Sequence, residues 1–444
     1  MVTLRKHQLE GKQFIHQGQH LGALLFHGLG LGKTLTSLIY CREKLAALRS
    51  NGVIAPKFMV ILPKSASITW QTECQTHTSD IYRDMLLIPY SQLNKAPKLI
   101  LYYDIRVVVM DESHYVRTPN TNRAKDLATM LDSLSSSKGQ FKNGKIIMLS
   151  GTPMLNSASE LYTTWAVLAS PNCAEAAVRL LDESRYDKWA RTFSEQKEKR
   201  WKTHQGEKKG SVYSGVANPE LLQELLAPIT HYRRVEDCIS LPEKQDAFID
   251  LNLPDDKLLK DANIEEPDAF MAILERLAQA KTPYLLEWVK DFLHASQEQL
   301  VVFATHRFPL QALQEKYPNQ VVLVTGEQTG SERTANIEDF QNNKKRIIAL
   351  TYRAGSESLN LQNCNHALYF SYPWTSGNLR QAVGRIYRSG QKKFTLHTYL
   401  TSGQNDRKIL GIVQAKGEAT SIIESHLLAG SAEIDREYAL DSFI

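Results

Sequence analysis

Cysteine is scarce and scattered in this chain. Cys41, Cys74, Cys173, Cys238 and Cys364 are five among 444 residues, an odd number with no close pair. No two have metal-ligand spacing and no disulfide framework is readable, so neither a zinc centre nor an oxidising compartment is expected. Long apolar runs are lacking as well: none approaches the ~20 residues of a membrane span. The N-terminus, Met1-Val-Thr-Leu-Arg-Lys-His-Gln8, has no apolar core followed by small residues. No secretory leader is therefore read, and a cytoplasmic, cell-interior location is expected. Internal repeats are absent, and the one biased tract, Ser133–Lys138, reads as a loop. The excess of charge is small, 53 Lys and Arg against 48 Asp and Glu, or +5.

What is present is more telling. The length exceeds one ordinary core and predicts two domains. The first half alternates helical patterns with continuous apolar runs at Ala23–Phe26, Phe58–Leu62, Arg106–Met110 and Lys145–Leu149. The second half repeats the style at Gln299–Phe303, Gln320–Val324, Arg346–Leu350 and His366–Phe370. Such runs, separated by long crossovers, read as buried strands of two parallel α/β sheets. Between them, Leu155–Arg234 reads as mostly helical, while Leu241–Gln245 and Leu253–Asp256 read as linker punctuation. Glu265–Trp288 reads as a helix broken at Pro283, and Asp406–Leu428 as an amphipathic closing helix.

Phe26-His-Gly-Leu-Gly-Leu-Gly-Lys-Thr34 follows one apolar run and precedes a helical stretch. Gly28, Gly30 and Gly32 let the backbone wrap a triphosphate. Lys33 then reaches the outer phosphates, and the Thr34 hydroxyl ligates Mg²⁺. His27 stands where the usual consensus has its first glycine. The next strand ends in Asp111-Glu112-Ser113-His114, which divides the labour: Asp111 for Mg²⁺, Glu112 for the attacking water. Ser150-Gly151-Thr152-Pro153 ends another, with hydroxyls placed to sense the acidic pair. In the second half, Gln381-Ala-Val-Gly-Arg385-Ile-Tyr-Arg388 places two arginines three apart, on one face if a helix begins there. They suit neutralisation of a phosphoryl transition state. From Lys188 to Lys209, eight basic residues face three acidic ones, interleaved with Trp189, Phe193 and Trp201, a composition that tracks a phosphate backbone.

Taken in order, these motifs resemble the superfamily 2 helicase-type motors, and among them the Swi/Snf-like double-stranded-DNA translocases. The similarity runs from Leu4–Gly11 through Leu62-Pro-Lys-Ser65 with Trp70, Leu149–Pro153 with Asn156, Val301–Ala304, Thr325-Gly326, Leu359-Asn-Leu361 and Pro373-Trp374 to Gly403–Ile409. Ala280–Trp288 is most like annealing-helicase and bacterial or viral members. The resemblance implies two RecA-like lobes with ATP between them and DNA across the top. It implies that Gln8 reads adenine, that Leu35 belongs to the nucleotide loop, and that Ser150, Thr152 and Gln381 couple the sites. It further implies DNA contacts from Lys64, Ser65 and Ser91, and from His306, Arg307, Thr325 and Trp374. Lys199, Arg200 and Lys202 would add to them from a helical protrusion.

The expected division is 1–154 for the ATP-binding lobe, 155–240 for the protrusion and return, 241–290 for a linker with helical insertion, and 291–444 for the second lobe with its closing helix. The expected activity is ATP- and Mg²⁺-dependent translocation on double-stranded DNA, branched or forked, by a monomer without a histone-reading module. A strand-separating DNA or RNA helicase and a catalytically idle scaffold are the alternatives. Two departures stand out: Ser358 replaces a glycine before Leu359-Asn-Leu361, and His27 replaces a residue usually acidic in relatives.

Overall fold

The computed structural model describes residues 2–137, 141, 143–203, 206–251, 253, 267–328, 330–355 and 359–429. Strands β1 (Gly22–His27), β2 (Lys57–Leu62), β3 (Met85–Pro89), β4 (Ile105–Asp111) and β5 (Lys145–Ser150) appear first along the chain. A hairpin of β6 (Glu195–Thr203) and β7 (Gly206–Ser214) follows, then β8 (Thr230–Arg233) and β9 (Lys244–Asp250). The last are β10 (Leu300–Ala304), β11 (Val321–Val324), β12 (Ile347–Thr351), β13 (His366–Tyr369) and β14 (Thr395–Thr401). They build two six-stranded sheets, ordered β3-β2-β4-β5-β1-β8 and β11-β12-β10-β13-β14-β9. Every pairing within these two sheets is parallel.

The apolar runs form central strands because both faces of each sheet are covered. In β4, Val108 and Met110 enter one core and Val107 and Val109 enter the other. In β10, Val301 and Phe303 point to one core and Leu300 and Val302 to its opposite. Side chains alternate across a strand, so a run buried on both faces must be apolar throughout. No described helix is long and apolar enough to cross a membrane.

The chain divides into two compact units, Met1–Cys238 with Lys416–Ile444, and Ile239–Ala415. The stretch beginning at Lys416, expected with the second lobe, groups with the first, because Ile423 joins the core built by Leu24, Phe26 and Trp165. The closing helix itself runs Gly403–Ala429.

Other expectations need correction. Helix Asn122–Ser136 runs through most of the tract read as a loop, since Ser133 Oγ donates to the Thr129 carbonyl (2.8 Å) and so serves the helix. Pro283 does not break its helix, which spans Pro267–Ala295. Its missing N–H leaves the Gln279 carbonyl a donor short, while Thr282 Oγ1 donates to the adjacent Ala278 carbonyl (2.7 Å). Lys244–Gln245, read as linker, starts β9, which pairs with β14 over its whole length. The basic segment is helical only at its start: Lys188 and Arg191 lie on the helix Glu183–Phe193, and the remainder forms the antiparallel β6–β7 hairpin. The rest of 155–240 is largely helical and ends in β8, which pairs with β1 at the sheet edge.

Candidate functional site

Phe26 pairs with Ser150 across β1–β5, and Asp111 with Leu149 across β4–β5. Three neighbouring strands thus deliver the Lys33-Thr34 loop, the Asp111-Glu112 pair and the Ser150-Gly-Thr152 turn to one sheet edge, beyond the carboxyl ends where open α/β sheets bind ligands.

The loop after β1 is shaped by backbone angles that favour glycine: Gly30 has φ 83° and Gly32 φ 74°. Gly32 caps the helix Lys33–Ser50, leaving first-turn N–H groups to face an anion. Lys33 Nζ donates to the His27 carbonyl (2.8 Å) and the Gly28 carbonyl (3.4 Å), so its ammonium rests on the loop itself. Gln8 is buried against the same loop. Its Oε1 accepts from the Arg5 N–H (2.8 Å), and its amide donates to the Leu31 and Gly32 carbonyls (both 3.4 Å). Thr34 and Leu35 open the helix and are half-buried.

His27 is fully buried, and its Nε2 lies 2.7 Å from Nδ1 of His231. Burial above all, then the charges around it, pushes the His27 ring well below the usual histidine range; burial takes His231 down to about 4. The pair is therefore neutral near pH 7, one ring donating to the other. Sequence reasoning flagged His27 but missed His231, which lies 204 positions away and reaches it only through the β1–β8 pairing.

Asp111 is gripped from three sides. Trp70 Nε1 donates to its Oδ2 (2.8 Å), the Glu112 N–H to its Oδ1 (3.1 Å), and the Tyr90 hydroxyl to its carbonyl (2.9 Å). Burial, and then the neighbouring Glu112 charge, raise its carboxyl to about 6, against the pull of Trp70 and Lys33. Glu112 sits at φ 49°, a left-handed conformation unusual for its type, with Oε2 3.3 Å from His114 Nδ1. Trp70 appeared in the sequence motif, but its hold on Asp111 did not. Ser150 and Thr152 are both buried, and Ser150 Oγ accepts from the Thr152 N–H (3.1 Å).

In the second unit, Arg385 closes the helix Ser376–Ile386 and Arg388 follows it, at the end of a helix rather than its beginning. Both guanidinium groups reach the Leu359 carbonyl, at 3.2 and 3.3 Å, and the Leu361 N–H donates back to the Arg385 carbonyl (3.1 Å). The arginine motif and Leu359-Asn-Leu361 are thus one structure. Gln381 is buried in the same helix. Ser358, the glycine replacement, lies outside the described residues.

The expected DNA contacts fall at strand ends. Exposed Lys64 and half-buried Ser65 follow β2, and exposed Ser91 follows β3. His306 and Arg307 follow β10, with Arg307 paired to Glu327; buried Thr325 follows β11, and Trp374, 42% exposed, comes after β13. Lys199, Arg200 and Lys202 lie on β6, which pairs with β7 in a two-stranded sheet of its own.

The residues fit a magnesium nucleotide. The Asp111 carboxyl, raised by burial and then by the Glu112 charge beside it, calls for a cation, and a glycine loop with a lysine at a helix start calls for phosphate. Among the described residues no group of three or more His, Cys, Asp or Glu could hold a metal alone, consistent with an ion that keeps water and phosphate ligands. A strand–glycine loop–helix unit with its acidic pair, on RecA-like parallel sheets, defines a P-loop nucleoside-triphosphatase. The chain belongs to the SNF2-related family: the model described as SNF2-related domain matches residues 7–259, and that described as helicase conserved C-terminal domain matches 281–390. It is an SNF2-family ATPase. It is 24% identical over 435 residues to the Xenopus tropicalis SWI/SNF-related matrix-associated actin-dependent regulator of chromatin subfamily A-like protein 1, covering 88% of this chain and 42% of that protein. It is 23% identical over 340 residues to human DNA annealing helicase and endonuclease ZRANB3, covering 71% and 29%. The chain spans less than half the length of these curated relatives. A solved Saccharomyces cerevisiae Dbp5 variant bound to RNA and ADP BeF3 aligns over 95% of this chain and 93% of its own at TM-score 0.56 and 11% identity, a likeness of fold.

Proposed function

We propose that this chain is an ATP-driven motor that tracks along double-stranded DNA and remodels branched DNA or protein–DNA complexes. One observation carries the reading: adjacent strand ends bring together a phosphate loop, a strained acidic pair and a hydroxyl turn, the set that hydrolysis and its coupling require. Lys33 and the loop glycines hold the phosphates, Gln8 holds the base, and Thr34 with Asp111 holds Mg²⁺, which neutralises the transferred phosphate when bound. Glu112 orients water, and Arg385 and Arg388 act on the transition-state charge. Ser150, Thr152 and Gln381 couple nucleotide state to grip.

Grip itself falls to Lys64, Ser65, Ser91, His306, Arg307, Thr325 and Trp374, with the hairpin lysines beside them. Contacts of this kind read the backbone, so sequence preference is weak and salt sensitivity strong. The name of the human relative, a DNA annealing helicase, supports DNA as the substrate.

The test compares phosphate release stimulated by duplex DNA, single-stranded DNA and RNA, in the parent and in Lys33→Ala and Glu112→Gln. The expected result is strongest stimulation by duplex DNA and loss of turnover in both variants. Strongest stimulation by RNA, or turnover surviving both substitutions, would overturn the proposal.

A further inference from the structure

Two turns of the first unit are built alike. Leu62-Pro63-Lys64-Ser65 ends β2 and Ile88-Pro89-Tyr90-Ser91 ends β3, and in each the proline stands just before a short helical turn, at φ −59° and −62°. The proline ring fixes those angles, so each turn is a stiff link. Lys64 and Ser91 are exposed. Close beside them an aromatic side chain turns inward. Trp70, on the helix Ser67–His77 that continues the first turn, is 1% exposed, and Tyr90 is 3% exposed.

A buried indole or phenol needs an acceptor, and any nearby carbonyl would serve. These two, from different turns, choose the same residue. Trp70 Nε1 donates to the Asp111 Oδ2 (2.8 Å), and the Tyr90 hydroxyl donates to the Asp111 carbonyl (2.9 Å). With Oδ1 accepting from the Glu112 N–H (3.1 Å), the protein sets the plane of the carboxylate through both oxygens. Tyr90 also stacks on Tyr115, the rings 5.2 Å apart and 8° from parallel. The same phenol therefore braces the chain on both sides of Glu112, the residue held at φ 49°.

We propose that Trp70 and Tyr90 are positioning residues that fasten the two backbone-gripping turns to the cation-binding carboxylate, so that duplex DNA seated on Lys64, Ser65 and Ser91 is felt at Asp111; the proposal rests on the duplex-DNA reading above. Both aromatics act through Asp111 and not by contact with the nucleotide. Partners of this kind set the angle at which a carboxylate meets its ion, and losing one costs about 10–100-fold in metal affinity or activity. A turn that shifts as phosphate docks alters the angle of a bond to a charged oxygen, and such bonds weaken steeply with misalignment.

The test begins with the full chain free of nucleotide and metal, isotope-labelled at the tryptophan indole nitrogens and titrated with a short DNA duplex whose binding is followed by fluorescence anisotropy. The Trp70 indole N–H resonance, identified by its loss in W70F, should move as duplex saturates the chain, and should move less in K64Q/S91A at equal saturation. Duplex that binds without moving it, or moves it equally in K64Q/S91A, would overturn the proposal. Duplex that does not bind would sink the duplex-DNA reading itself, and this one with it. In W70F and in Y90F, stimulation of phosphate release by duplex should then fall about tenfold, and W70F should need about tenfold more Mg²⁺ for half-maximal turnover. Duplex affinity and metal-free binding of a fluorescent ATP analogue should stay at the parent's level. Y90F removes one hydroxyl and keeps the ring, so it decides the matter if W70F does not fold. Parent-like stimulation in Y90F, or nucleotide binding lost along with stimulation in both variants, would overturn the proposal.

Discussion

Asp111→Asn isolates the cost of holding a carboxylate ready for a cation. The Asp111 carboxyl is raised from an ordinary 3.8 to about 6, chiefly by burial and then by Glu112. The folded protein therefore keeps a proton that the unfolded chain releases between these values, and stability falls as pH rises through that window. At 1.36 kcal/mol per pKa unit, the total is about 3 kcal/mol, roughly half of which accrues between pH 5 and pH 7.5. Asparagine carries no such penalty, and its amide oxygen can still accept from Trp70 Nε1. Urea unfolding of parent and variant, in chelator and across that pH range, gives the difference curve directly. The variant should gain roughly 1–2 kcal/mol on the parent between pH 5 and pH 7.5 while losing ATP turnover. A flat difference curve, or one with the opposite slope, would refute the argument that this carboxylate is held at a cost.

Lys281 and Asp406 form a buried pair at 2.6 Å beneath the rings of Phe370 and Tyr372, with Lys281 also donating to the Leu400 carbonyl. Lys281→Met leaves the carboxylate only its Ser402 partners and should cost the second unit about 3–5 kcal/mol in urea, much of it recovered by adding Asp406→Leu; a single-variant cost below about 1 kcal/mol would contradict this. At Gly32, with φ 74°, an added Cβ would lie 2.3 Å from Gln8 Nε2. Gly32→Ala should therefore weaken binding of a fluorescent ATP analogue at least tenfold, and parent-like affinity would argue against the loop's role. The His27–His231 pair is depressed in the folded state, so the stability it contributes is complete above the unfolded value near 6.5 and drains away as pH falls toward 4. His231→Gln should flatten the fall of melting temperature with acid; an unaltered acid limb would place that sensitivity elsewhere.

Features confined to one stretch of chain were legible. The glycine loop, Asp111-Glu112 and Ser150–Pro153 each sit directly after a run such as Val107–Met110, which could only be a strand buried on both faces. Edge strands were not: β9, Lys-Gln-Asp-Ala-Phe-Ile-Asp, exposes one side and mimics a linker, and β8 is only four residues, Thr-His-Tyr-Arg, three of them polar beside Tyr232. The basic hairpin looked helical because a polar run such as Glu-Gln-Lys-Glu-Lys-Arg at its start carries no apolar alternation to mark a strand. Pairings made by topology alone, Trp70 with Asp111 and His27 with His231, left no local trace. Both arginines of the second unit were found, but their common anchor on Leu359 needed the fold.

The first unit is stitched from two distant stretches, whereas the second is one uninterrupted run. Leu24, Phe26, Met154 and Leu226 line one small pocket with Ile423 and Leu427, so this side of their packing is completed only once residues 423 and 427 have been made. During vectorial synthesis all of Ile239–Ala415 has been made by then. The lobe translated first is therefore the last to mature, and a ribosome stalled before residue 423 displays an oily surface that invites chaperones.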